Sequence, residues 1–257
     1  MELTSDQQPL LLECMLDLGQ MMLDCGAEIS RVEDTLNRIA AAYGATDTNV
    51  FVITSIISLT AEFPGYEPIT ETRRITRDGG TDFIRLEKLN SLSRAACSDP
   101  LTISALQEKI QKISSGKKPF SVQFWGSILA AGSYAVFFGG TLADGIAAGI
   151  IGAFICLIQL RLDKTEINTV ARNLLISLLI GLGVGAACVL FSFLHMDMVL
   201  IGAIMLLIPG LAMINAVRNV LLGDTISGLV RLADSLLWAG SLAGGFMVAL
   251  KIIDQLF

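Results

Sequence analysis

Histidine is almost missing from this chain of 257 residues, with His195 as its single example. One histidine excludes a His-based metal cluster, and no Ser/His/Asp or Cys/His set is available to the N-terminal half, which lies far from it in the expected topology. Charge is scarce as well. Charged residues make up 16% of the chain against 53% hydrophobic, with mean hydropathy +0.65; ordinary soluble domains carry about a quarter charged residues. The five cysteines, Cys14, Cys25, Cys97, Cys156 and Cys188, are an odd number without CxxC spacing, so they read as reduced thiols serving as small hydrophobes. No Walker-type loop occurs, and no cofactor is expected. The opening MELTSDQQP is acidic and polar, unlike a signal peptide. A net charge of −6 argues against a nucleic-acid surface.

What is present is divided sharply. Residues 1–120 hold 12 Lys+Arg and 17 Asp+Glu, whereas residues 121–257 hold 6 and 7. The expected fold is an α-helical membrane protein: a small α+β cytoplasmic domain over 1–118, then five transmembrane helices over 119–257. A helix needs about 20 mostly apolar residues to cross a bilayer, and the stretches 120–138, 142–160, 173–194, 198–217 and 229–250 qualify. Lys117, Lys118, Arg161, Lys164, Arg172, Arg218 and Arg231 flank one side, while the opposite loops GGTLAD and HMD carry no Lys or Arg. Positive residues favour the cytoplasm, which places the N-terminus inside and the C-terminus outside. Gly145 with Gly149, Gly181 with Gly185 and Gly240 with Gly244 are spaced for close helix packing in lipid.

In the N-terminal part, LLLECMLDLGQMMLDCGAE predicts a helix to about Cys25, punctuated by Gly26. Ile29, Val32, Leu36, Ile39 and Tyr43 form one face of a second helix that stops at Gly44. The β-branched run from Val50 to Ala61 predicts strands, with PITETRRIT returning after a Pro64–Gly65 turn. Asp78–Gly79–Gly80 marks another turn. Helices follow over 82–97 and 100–115, the second with Asp99 as its cap, Pro100 in first position and a stripe of Leu101, Leu106, Ile110 and Ile113. Asp17, Asp24 and Glu28 lie near Gly26, which leaves a carboxylate-based hydrolase open, and Glu28 with Arg31 is spaced as a local helix pair.

The fourth span interrupts itself. LLIPGLAMINAVRN sets Pro209 beside Gly210 about eleven residues from its outer end, or roughly 16 Å deep and near the midplane. Proline removes a helical hydrogen bond, and in lipid the freed backbone must find protein or cavity water. Broken helices at that depth build transporter sites. Asn215, Arg218, Asn219 and Asp224 follow, then Gly228, Arg231 and Asp234. Arg218 and Arg231 would bind a small carboxylate solute, since guanidinium grips carboxylate with two parallel bonds. Asp224 and Asp234 would balance charge or carry a coupling proton.

Three stretches resemble the threonine/serine exporter (ThrE-like) family: LLLECMLDLGQMMLDCGAEISRVEDTLNRIAAAYG, RLEKLNSLSR and LLIPGLAMINAVRNVLLGDTISGLVRL. The likeness covers about residues 9–250 and carries over Gly19, Gly26, Ala27, Glu28, Pro209, Gly210, Asn215, Gly223, Gly228, Leu229 and Arg231. The resemblance implies a bacterial inner-membrane exporter. Fused members have ten spans, so a five-span chain is similar to the larger subunit of the split type, acting in an oligomer with a small separate membrane subunit. The resemblance also implies threonine/serine-type amino acids or succinate-type dicarboxylates as solutes. A second expectation stands beside it, a membrane-anchored enzyme or sensor with its activity in residues 1–116.

Overall fold

The alternation of helix stops and turn signals in the first hundred residues reappears as structure in the computed structural model, which describes residues 3–75, 80–116, 119–162 and 168–256. Lys117, Lys118, Lys164 and the Asp78–Gly79 part of the expected turn lie outside the described residues. The chain forms two compact units. One comprises residues 1–117 with 214–231, and the other 118–213 with 232–257.

In the first unit, α1 (Gln7–Asp24) and α2 (Ile29–Ala42) precede an antiparallel meander of β1 (Asp47–Ile53), β2 (Ile56–Glu62) and β3 (Ile69–Arg74), followed by α3 (Phe83–Ser98) and α4 (Ile103–Ser114). Val52 faces Ile57 and Ile53 faces Ile56 across a two-residue turn, which sets the hairpin register. Ile57, Leu59 and Ala61 then point to the core, while the threonine pair Thr60–Thr70 lines the wet face with hydroxyls 2.8 Å apart. All five residues of the α2 stripe are sealed from solvent, and the Tyr43 hydroxyl donates to the Leu101 carbonyl at 2.9 Å. Gly26 and Gly44 adopt φ of +87° and +93°, just past the ends of α1 and α2. Each helix closes with paired bonds from its glycine and the residue after it, the Schellman arrangement that wants a residue without Cβ.

One expected cap is displaced. Asp99 is the C-terminal cap position of α3, and α4 starts later, at Ile103, with the Thr102 hydroxyl accepting from Ala105 N. A threonine in extended conformation just before the apolar stripe outcompetes the Asp99–Pro100 pair, because its oxygen reaches a free amide of the first turn.

The second unit holds α5 (Phe120–Phe137), α6 (Leu142–Leu162), α7 (Thr169–Leu190) and α8 (Met196–Met205), while α9 (Gly210–Leu221) and α10 (Thr225–Leu256) run from one unit's residues into the other's. Among the described residues α5, α6, α7 and α10 are each long and apolar enough to cross a membrane. The pair α8 and α9, bent by 52° at its break, makes a fifth span if it is counted as one. The third span starts four residues earlier than expected because Asn168 caps it, its side-chain oxygen accepting from Val170 N at 2.8 Å, so Arg172 belongs to α7. The last helix overruns its expected range at both ends; its 32 residues extend about 48 Å at 1.5 Å each.

Small residues make the helix contacts in this unit. A Cβ on Gly145 would press on Val136, and one on Gly149 would crowd Ile128. Gly181 lies against Ala249 and Phe246 of α10, and Gly185 against Ile253. Gly240 and Gly244 differ from expectation, since nothing stands within 4 Å of where their Cβ would be. On α10 it is Gly245, one residue further, that meets Ser177 and the Leu174 carbonyl. Spacing identified the helix and missed its face.

Candidate functional site

Pro209 does not kink a continuous helix. Leu207 and Ile208 both donate to the Ile204 carbonyl, which ends α8, and Met213 N donates to the Pro209 carbonyl at 3.0 Å, which begins α9. Proline thus stands at the entrance of a new helix, where its missing N–H costs nothing. Pro209 is buried and Gly210 half-buried, both in the second unit.

Asn215, Arg218, Asp224, Gly228 and Arg231 belong to the first unit. There the end of α9 and the start of α10 form a helical hairpin. Gly223 has φ +98°, its N–H donates to the Val220 carbonyl, and Asp224 N donates to the Asn219 carbonyl at 2.9 Å. The Asp224 carbonyl in turn accepts from Gly228 N at 2.9 Å, so Asp224 holds the N-cap position of α10, one that aspartate favours. A Cβ at Gly228 would collide with Val220 and stand 2.9 Å from the Ala216 carbonyl oxygen, so only glycine lets the two helices come this close. Asn215 is half-buried. Asn219 is buried, and its side-chain nitrogen has no hydrogen-bond partner among the described residues.

Arg218 meets a residue from the other end of the chain. Its Nη1 lies 2.6 Å from Oε1 of Glu28. The Gly26–Ala27–Glu28 triplet builds the acidic half of this contact. Gly26 turns the chain out of α1, Ala27 is buried behind it, and Glu28 occupies the extended position before α2. The Glu28 side chain makes no cap bond to its own helix. It pairs with Arg218, which corrects the expected local pair with Arg31. Nearby, Glu33 accepts from Val52 N at 3.0 Å. Burial pushes its carboxyl up from the ordinary 4.5, the Val52 bond opposes this, and the Asp224 charge raises it further. Arg231 is half-buried, and Asp234, in the second unit, is exposed.

The acids near Gly26 are engaged separately. Asp17 pairs with Arg73 and Glu28 with Arg218, which gives no carboxylate dyad between these two. The Cys14 thiol is pushed up to about 11 by burial and by the Asp17 and Glu13 charges, with Arg73 opposing, so it is protonated at neutral pH.

A second polar cluster lies in the second unit and went unread in the sequence. Asp144, fully buried at the start of α6, accepts from Thr141 N at 2.8 Å, Thr141 Oγ1 at 2.7 Å and His195 N at 2.7 Å, and its Oδ2 lies 2.9 Å from His195 Nδ1. With Asp144 N reaching back to the Thr141 hydroxyl at 3.3 Å, this is a reciprocal cap extended by a residue 51 positions away. The signal was available, because Thr-x-x-Asp is capping spacing and Asp144 is the only acid between residues 119 and 162. A groove of about 830 Å³ between α5 and α6, lined by residues such as Ile128, Gly132, Val136, Gly149 and Phe154, is apolar apart from Ser133 and lacks the charge a carboxylate solute requires.

The sequence model of ThrE, described as "Putative threonine/serine exporter", matches residues 13–253. The chain belongs to this family. A ThrE-type relative, the "Probable threonine/serine exporter" of Mycobacterium tuberculosis, is 21% identical over 249 residues, covering 94% of this chain and 46% of the relative. The chain therefore spans about half the length of the curated relative it matches. No solved structure matches it. The ThrE match takes in both the Gly26–Ala27–Glu28 corner and the Pro209–Arg231 segment, and the fold joins them through Glu28 and Arg218.

Proposed function

We propose that this ThrE-family membrane protein is one subunit of an exporter of small carboxylate-bearing solutes, either threonine/serine-type amino acids or succinate-type dicarboxylates. It works with a small separate membrane subunit that supplies the remaining spans, in a bacterial inner membrane, as a hetero-oligomer. The observation that carries this reading is the family match over 13–253, joined to a relative only 46% covered by an almost complete alignment of this chain. The description of the mycobacterial relative as a probable threonine/serine exporter supports an amino-acid solute. The positive flanks Arg161, Arg172 and Arg218 support an N-terminus in the cytoplasm and a C-terminus outside, with 1–118 as the cytoplasmic domain and 119–257 as the membrane domain.

Within this reading the solute site draws on Asn215, Arg218, Gly228 and Arg231 of the first unit. Arg218 and Arg231 recognise the carboxylate, and Asp224 balances charge or carries a coupling proton. That Arg218 already holds a carboxylate oxygen at 2.6 Å supports its part, and the buried Asn219 donor beside it is an amide in want of an acceptor. The test is efflux from loaded proteoliposomes containing this chain and the small subunit, across threonine, serine and succinate, with and without a pH gradient. Arg231→Ala should abolish efflux while membrane insertion is intact; unchanged efflux would remove Arg231 from the site.

A further inference from the structure

We propose that Glu28 is a built-in competitor for the solute: its carboxylate occupies the Arg218 guanidinium until a carboxylate-bearing solute displaces it. This rests on the reading of Arg218 as an anion-recognition residue. Glu28 stands where a helix cap belongs, yet its side chain leaves the free amides of α2 unserved and reaches Arg218 at 2.6 Å. Both partners are held on stiff supports. The Gly26 corner fixes where Glu28 leaves the chain, and the Gly223 turn with the Gly228 close approach fixes the helix turn that bears Arg218.

The pair is built to be exchanged rather than to hold. The Arg218 side chain is 56% exposed and that of Glu28 23%, so both charges keep access to water when the contact opens. An ion pair with one partner so open to water is a weak tether. A free carboxylate that uses both guanidinium edges gains a second charge-assisted bond and can take the position. A mere staple between Glu28 and Arg218 makes the opposite forecast, since losing it would loosen the hairpin and weaken any site there.

The experiment is equilibrium binding of radiolabelled succinate and of L-threonine, as separate probes, to the full chain assembled with the small membrane subunit in lipid nanodiscs. Glu28→Gln should tighten binding of the accepted probe about three- to fivefold, the range set by an exposed pair. Arg218→Gln should weaken it at least tenfold, and the double variant should be as weak as Arg218→Gln alone. The exchanged pair, Glu28→Arg with Arg218→Glu, should stay weak, because the cation has left α9. Binding that is unchanged or weaker in Glu28→Gln, including no binding in either protein, overturns the competitor role, as does recovery of wild-type affinity in the exchanged pair. If Arg218→Gln binds like wild type, the solute-site assignment of Arg218 itself falls. Weak Arg218→Gln with an unchanged Glu28→Gln removes only the competitor.

Discussion

In the first unit Leu11, Leu12, Leu36 and Leu89 are sealed from solvent, whereas in the second Leu129, Leu142 and Leu190 are 67%, 77% and 76% exposed. The second unit buries some large side chains as well, Ile155, Val184, Leu207 and Phe246 among them, but beside them it buries small or polar ones: Ala131, Ala135, Ala148, Gly202, Asp144, Asn173 and Ser177. The same residue type therefore answers to two solvents. Water drives leucine inward in the first unit. Lipid is as apolar as leucine, so in the second unit close contact is won by residues that let backbones approach.

Substitutions in the full chain in nanodiscs can break or sharpen this contrast. The largest effect is expected at Leu36→Ala, which empties a site of zero exposure and should cost about 2–5 kcal/mol; amide exchange across residues 3–116 would register it, and a loss below about 1 kcal/mol would contradict a tight core. Gly202→Val comes next. Its Cβ would stand 2.5 Å from the Ala131 carbonyl oxygen and 2.9 Å from Ala148 Cβ, an overpacking that should cost about 1–3 kcal/mol in chemical unfolding. Leu190→Ala, on the outward face, should shift stability by no more than about 0.5 kcal/mol, and a larger loss would mean that protein covers this face.

The smallest effect concerns charge in the first unit. Because the folded-state Glu33 carboxyl is raised above its ordinary 4.5, the folded state binds more protons than the unfolded one between those two values. Stability contributed by this group therefore falls as pH rises through that window and stays lower above it. Glu33→Gln keeps an oxygen for Val52 N and removes the titration, so its gain should be about a few tenths of a kcal/mol at neutral pH and vanish near pH 4.5. Paired melting curves at the two pH values would check it, and equal shifts at both would count against a Glu33 carboxyl raised by burial and by Asp224.

Legibility followed the same division. The α2 stripe, the Gly26 and Gly44 stops and the β hairpin were readable because water enforces period and turn chemistry locally. The spans were readable as apolar length, but their inner faces were not, as Gly240 and Gly244 show against Gly245. The polar pairings escaped for a different reason. Glu28 with Arg218 and Asp144 with His195 join positions far apart, and sequence spacing carries no information about which distant charge a side chain will meet. Of the residues that the sequence singled out, Pro209, Gly210 and Asp234 belong to one unit and Asn215 to Arg231 to the other.

The discontinuity of the first unit bears on how the protein is made. Ribosomes deliver residues 1–117 early, but the strand of chain that completes this unit, 214–231, emerges only after α5, α6, α7 and α8 have been synthesised. Synthesis proceeds at about 5–20 residues per second, so Glu28 waits on the order of ten seconds or more before Arg218 exists to meet it. During that interval the nascent N-terminal part must persist with an unclosed acidic corner while the bilayer receives the helices between. The Glu28–Arg218 contact can therefore form only in chains synthesised past α8 and into α9, while most of α10 is still to come.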